Sequence, residues 1–165
     1  MTNRLRNKSE RNVLKMKNTF SGDDLIFHTH FSSDPLSAAR VTEELIGTIS
    51  NWCVTTGSLA NIEIVVTEVI NNIIEHAYLE DPDQPIEISA KAGSESVQFD
   101  LIDCGKCMPE SQIPNGRQMD LTGAVCDLPE GGFGWHLIRS LAQNLNYTRD
   151  SGKNHLTFSV TIGQQ

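Results

Sequence analysis

Residues 59–78 hold the pattern that limits the chain's fold most tightly. At about 100° per residue, Leu59, Ile62, Val66, Val69, Ile70, Ile73 and Ala77 share one face of a helix. An apolar arc this broad has to be covered by a second layer of structure. On another face Glu68, Asn72 and His76 recur every four residues, with Glu75 beside them. Ile64 and Val65 share that side, so it is not a plain solvated surface. A carboxylate and a carboxamide one turn apart can hold a metal ion beside a reacting hydroxyl. The same spacing also suits a solvated face, and His76 alone suits a packed or helix-end histidine.

The flanking segments supply the second layer. Leu25 to Phe31 reads as a strand, with an edge position open to it. Asp34-Pro35 gives a helix start, with Asp as N-cap and Pro at the first helical position. Ala38, Val41, Leu45, Ile49 and Trp52 follow at helical spacing, and this helix is expected to end near Gly57. Ser58 is the expected cap of the next helix, which should run to about Tyr78. Ile86, Ile88 and Ala90 alternate as a strand, Gly93 to Ser96 turns it, and Val97, Phe99 and Leu101 return it to Asp103. Residues 108–130 have no clear period and several Pro and Gly, which marks a lid or a loop. Leu137, Ile138, Leu141 and Leu145 suggest a further helix, Tyr147 to Arg149 a short strand, and Leu156 to Ile162 the last one. The order predicts a two-layer α/β sandwich: a mixed, mostly antiparallel sheet with helices on one face.

Charge divides the chain. The net charge is −8, but Arg4, Arg6, Lys8, Arg11, Lys15 and Lys17 stand against Glu10 alone in residues 1–20. That leader carries +5, so the remainder carries −13. An acidic body argues against direct nucleic-acid binding, which needs a basic face. Residues 1–24 are therefore expected to be a basic, flexible leader, and residues 25–165 one domain. No apolar run approaches the roughly 20 residues that span a bilayer, and no apolar segment follows the basic start as in a signal peptide. A cytoplasmic protein without membrane contact is the expectation. Its four cysteines should then be reduced. Cys104 and Cys107 form a single C-x-x-C pair, with no second pair or nearby histidine to complete a zinc site.

Two further motifs bear on chemistry. Gly131-Gly132-Phe133-Gly134 runs into a helix, where close backbone approach and free N–H groups favour a phosphate; a flexible linker has the same composition. It is not a Walker loop, because no Gly-Lys-Ser/Thr follows. Asp103-Cys104-Gly105 ends a strand, where a carboxylate can meet a ligand's amino group or simply make a turn.

Taken together and in this order, these motifs resemble the GHKL ATP-binding fold of sensor histidine kinases and type II topoisomerases. Within it they are similar to the bacterial anti-sigma-factor serine kinases of partner-switching systems. The likeness covers about residues 25–162. It rests on Glu68, Asn72 and His76-Ala77-Tyr78, on the run GGFGWHLIRSL at 131–141, and on Ala38 to Thr42. The resemblance implies that Asn72 binds Mg2+ and bridges to the phosphates of ATP. It implies Glu68 as general base, Asp103 as the acceptor for the adenine amino group, and Gly105 beside it. Gly132 and Gly134 would hold phosphates through backbone N–H groups, and the lid at 108–130 would close over the nucleotide. Arg40 matches a partner-contacting arginine. One departure stands out: Cys107 occupies the place of the second glycine in the family's first glycine box. The Cys104–Cys107 pair also admits a redox or metal switch.

The implied function is a serine kinase that sequesters a sigma factor or similar regulator and phosphorylates a small STAS-type anti-sigma antagonist. Homodimers fall within the same resemblance. The alternative is a module that switches partners without phosphoryl transfer. A sensor histidine kinase domain is disfavoured, since no phosphoacceptor helix pair is read before residue 25 and the His-Ala-Tyr ending suits the anti-sigma branch.

Overall fold

The computed structural model describes residues 24–52, 54–115 and 133–163. Five strands make one sheet: β1 (Asp24–Ser32), β2 (Pro85–Ala92), β3 (Ser96–Asp103), β4 (Gln143–Asp150) and β5 (Lys153–Thr161). Their spatial order is β1-β2-β3-β5-β4, and every pairing is antiparallel, so the sheet is more uniform than the mixed one expected. Strand alternation decides which face is covered. Ile86, Ile88, Ala90, Val97, Phe99, Leu101, Leu156, Phe158 and Val160 are buried on one face. Glu87, Lys91, Gln98, Asp100 and His155 point the other way and are at least partly exposed. Phe99 and Phe158, cross-strand partners, stack with ring centroids 5.1 Å apart at the centre of the buried face. Burying one side chain of this kind contributes about 1.5–3 kcal/mol.

Three helices cover that face: α1 (Pro35–Ser50), α2 (Thr56–Asn72) and α3 (Phe133–Leu141). The Asp34-Pro35 start is as the sequence implies. Asp34 accepts from Leu36 N at 3.0 Å and Ser37 N at 2.9 Å. Hydrogen bonds from Ser37, side chain and backbone, and then from the Ser32 hydroxyl hold the exposed Asp34 carboxyl down at about 2. α1 buries Ala38, Val41, Leu45 and Ile49, and α2 buries Ile62, Val65, Val66, Val69 and Ile70.

Several boundaries differ from those expected. α1 stops at Ser50 rather than near Gly57, because Asn51 N and Trp52 N bond back to Thr48 O and Ile49 O and close its last turn. The cap of α2 is Thr55, whose Oγ1 accepts from Ser58 N at 3.2 Å. Ser58 is instead buried inside the first turn, and its Oγ accepts from Gly163 N at 2.9 Å. α3 ends at Leu141, and Leu145 belongs to β4, which is longer than the short strand read at 147–149. A left-handed Asn144 (φ 54°) turns the chain directly into that strand. Of the apolar residues expected on α3, Ile138 is buried, whereas Leu137 is 37% exposed and Trp135 takes its place inside. No helix among the described residues is long and apolar enough to cross a membrane.

Candidate functional site

Glu68 and Asn72 lie one turn apart near the C-terminal end of α2, both half-buried. The first turn of α3 crosses them at Gly134. A Cβ placed on Gly134 would lie 2.5 Å from Glu68 Oε2 and 3.7 Å from Asn72 Nδ2. Only a glycine lets the backbone of α3 approach the two side chains this closely. The sequence joined these residues by resemblance; the fold joins them by contact. Asn72 Nδ2 is the one buried side-chain nitrogen or oxygen among the described residues that lacks a hydrogen-bond partner. A buried amide N–H of this kind costs free energy until something pairs with it. As oriented, it suits a phosphate oxygen. Turned over, the same carboxamide offers its oxygen to a hard cation such as Mg2+. The residues present therefore fit a magnesium–nucleotide group.

His76 does not join them. After Asn72 the helix widens into a π-turn, Ile73–Ala77, in which Tyr78 N bonds to Ile73 O at 2.9 Å. The extra residue breaks the four-residue spacing, and His76 and Glu75 are exposed. Val65, read on the polar side, is fully buried, while Ile64 is 40% exposed.

The π-turn has a second effect: it forms the seat for the Asp103-Cys104-Gly105 loop. Lys106 N donates to Ala77 O at 2.9 Å, and a Cβ on Gly105 would fall 2.6 Å from that oxygen. Tyr78 OH donates to Pro85 O at 2.5 Å and accepts from Cys104 N at 2.8 Å. Burial pushes the Tyr78 hydroxyl pKa up. Asp103 is buried at the end of β3. Its Oδ1 accepts from Gly105 N at 2.8 Å and from Asn154 Nδ2 at 2.7 Å. Both bonds go to one oxygen, which leaves Oδ2 for a ligand's amino group. Burial raises the Asp103 pKa, against the opposing pull of Asn154, Gly105 and Arg149.

Asn154, Tyr147, Arg149 and Arg139 were not singled out by the sequence. Asn154 is buried opposite Asp103 in the β3–β5 register. Besides Asp103, its Nδ2 reaches Lys106 O at 3.0 Å, and its Oδ1 accepts from Tyr147 OH at 2.7 Å and from Arg149. Arg149 also donates to Gly105 O at 2.9 Å. Tyr147 OH accepts from Met108 N at 3.2 Å, and Arg139 on α3 donates to Ile113 O and Pro114 O. The start of the expected lid is thus tied down, and it contains a 3-10 turn at Pro109–Ser111. The β3–β5 pairing that sets Asn154 beside Asp103 joins strands from two separate hairpins, so local sequence gave no signal for it.

Gly132 and residues 116–130 lie outside the described residues. Cys104 and Cys107 are exposed free thiols. Arg40 is exposed on α1. A cleft of about 370 Å³ opens between α1 and α2, lined among others by Ala38, Ile46, Thr67 and Ile70, and it includes none of the candidate site residues.

This antiparallel sheet with one layer of helices is the fold of a histidine kinase-like ATPase domain. The family model for the histidine kinase-like ATPase domain matches residues 31–160, and the chain belongs to that family, the GHKL ATPases. Among solved structures it is similar to the RsbU and RsbW domains of Rv1364c from Mycobacterium tuberculosis, with a TM-score of 0.57 and 17% identity. That match covers 84% of this chain but 32% of the other, and at this identity it speaks for the fold. A search of curated proteins finds no match.

Proposed function

We propose that this protein is an ATP- and magnesium-dependent serine kinase of the partner-switching type. It would sequester a sigma factor or similar regulator and phosphorylate a small STAS-type antagonist on a serine, releasing it. The observation that carries the proposal is the seat of Gly134 against Glu68 and Asn72. It gathers a base, an unpaired carboxamide and the start of a helix, the parts that phosphoryl transfer needs for positioning and charge neutralisation.

In this reading Asp103 Oδ2 accepts from the adenine amino group, and Gly105 keeps the loop flat against the π-turn at Ala77. Gly132 and Gly134 offer backbone N–H groups to the phosphates. Asn72 would hold magnesium, which when bound neutralises phosphate charge. Glu68 takes the proton from the serine hydroxyl as its oxygen forms a bond to the γ-phosphorus. The bond to the β-bridging oxygen breaks, and ADP leaves with that electron pair. Arg40, exposed on α1, is the partner contact.

A second reading, a module that switches partners without transfer, draws on the exposed Cys107 at a glycine place. One assay separates the two. Incubation with labelled ATP, magnesium and the cognate antagonist should yield phosphoserine on the antagonist. Glu68→Gln should lower transfer by about 10²–10⁴-fold with ATP affinity kept. Bound nucleotide without phosphoserine would favour the module, and wild-type transfer by Glu68→Gln would remove Glu68 as the base.

A further inference from the structure

The uncovered face of the sheet carries a side-chain grouping that the nucleotide site does not use. His28 and His30, two residues apart on β1, point to the same side, and β1 is the edge strand of the sheet. His30 pairs directly with Glu87 on β2, and His28 lies one cross-strand position further on, opposite Ser89. His28 Nε2 is 3.0 Å from Glu87 Oε1, and His30 Nδ1 is 3.8 Å from Glu87 Oε2. The imidazole rings meet edge to face with centroids 5.1 Å apart. Ligating atoms of all three side chains lie within 4.8 Å of one another.

We propose that His28, His30 and Glu87 bind a borderline divalent transition metal, with Zn2+ as the physiological class of ion. Two imidazole nitrogens and one carboxylate oxygen are a zinc donor set. Bonds of about 2.0–2.1 Å in a tetrahedron place donors about 3.3 Å apart. His28 and His30 reach the two different oxygens of Glu87, at 3.0 and 3.8 Å, and all the ligating atoms lie within 4.8 Å of one another, so rotation of the side chains has to draw them in to that spacing around one ion. The fourth position faces solvent and takes water, because His28 and His30 side chains are 43% and 63% exposed. Nitrogen-rich ligation excludes Mg2+, which prefers oxygen donors and belongs at Asn72. The ion would pin the edge strand β1 to β2. The competing account is a simple cross-strand His–Glu contact, which offers no metal affinity.

The test uses the full chain freed of metal, with Zn2+ as titrant. Calorimetry should give one ion per chain, and the melting temperature should rise by about 5–10 °C at a hundredfold excess of zinc over its dissociation constant. His28→Ala and His30→Ala should each weaken binding at least about tenfold, while Cys104→Ser/Cys107→Ser should keep it. With Co2+ in place of zinc, the spectrum should show nitrogen and oxygen ligation without a thiolate charge-transfer band. A thiolate band, or binding unchanged in both histidine variants, would overturn the proposal. So would the absence of stoichiometric zinc binding by the wild-type chain.

Discussion

Gly134 is the residue on which the site depends most sharply. A Cβ there would meet Glu68 Oε2, the far end of a flexible side chain, rather than backbone. Gly134→Ala should therefore fold well: alanine's advantage inside a helix, about 0.5–1 kcal/mol, offsets the displacement of the carboxylate. If Glu68 is the base, as proposed, phosphoryl transfer should nevertheless fall at least about tenfold, because that carboxylate is the group that moves. Thermal melts and the transfer assay on the same preparation check both halves. Asp103 makes a different statement. Burial raises its pKa above the ordinary 3.8, so the folded state holds this proton more tightly than the unfolded one. The stability it contributes is complete below pH 3.8 and is lost as pH rises through the folded value. Asp103→Asn, which can still accept from Gly105 and Asn154, removes that titration. Its melting temperature relative to wild type should climb as pH rises above 3.8. A difference that stays flat with pH would contradict the burial argument.

At the scale of elements, the end of α2 brings the two halves of the site together. The π-turn Ile73–Ala77 rotates the chain after Asn72, turns His76 to solvent and exposes Ala77 O to the loop after β3. Single-turn π-bulges inside helices are common at functional sites. Gly105→Ala should distort this junction, because its Cβ would strike backbone, Ala77 O and C at 2.6 and 2.7 Å, which cannot rotate away. A loss of roughly 1–3 kcal/mol in urea unfolding is expected; an unchanged midpoint would show that the loop has slack. The sequence set Glu68 and Asn72 one turn apart on one helix face, and the structure keeps that spacing, since the helix is regular up to Asn72. His76, read by itself as a packed or helix-end histidine, is exposed at the helix end; the π-turn that takes it off the four-residue stripe has no composition signal of its own. The caps and strand ends followed local chemistry: Asp34-Pro35 was plain, whereas Thr55 and Ser58 compete for one cap and only tertiary contact with Gly163 decides between them.

Over the whole molecule, a single antiparallel sheet with one helical layer leaves its second face polar, and the strand alternation in residues 86–101 and 156–162 already carries that division. The order of elements and the fold class were therefore readable from apolar periodicity together with cap and turn residues, though several boundaries were not. The clamp of Asn154, Tyr147 and Arg149 around Asp103 was not, because it depends on the pairing of strands far apart in sequence. The same sheet separates two chemistries: oxygen and amide groups of the proposed nucleotide site on the helical side, and His28, His30 and Glu87 on the open side.

The central claim is that the half-buried Asn72, beneath α3, receives a magnesium–ATP complex. Calorimetric titration with ATP, with and without magnesium, tests it on the wild-type chain and on Asn72→Ala. The account predicts saturable one-to-one binding that requires magnesium and is weakened at least about tenfold, 1.4 kcal/mol, by the substitution. Equal affinity for magnesium–ATP in both proteins, or no binding by the wild type, would contradict it.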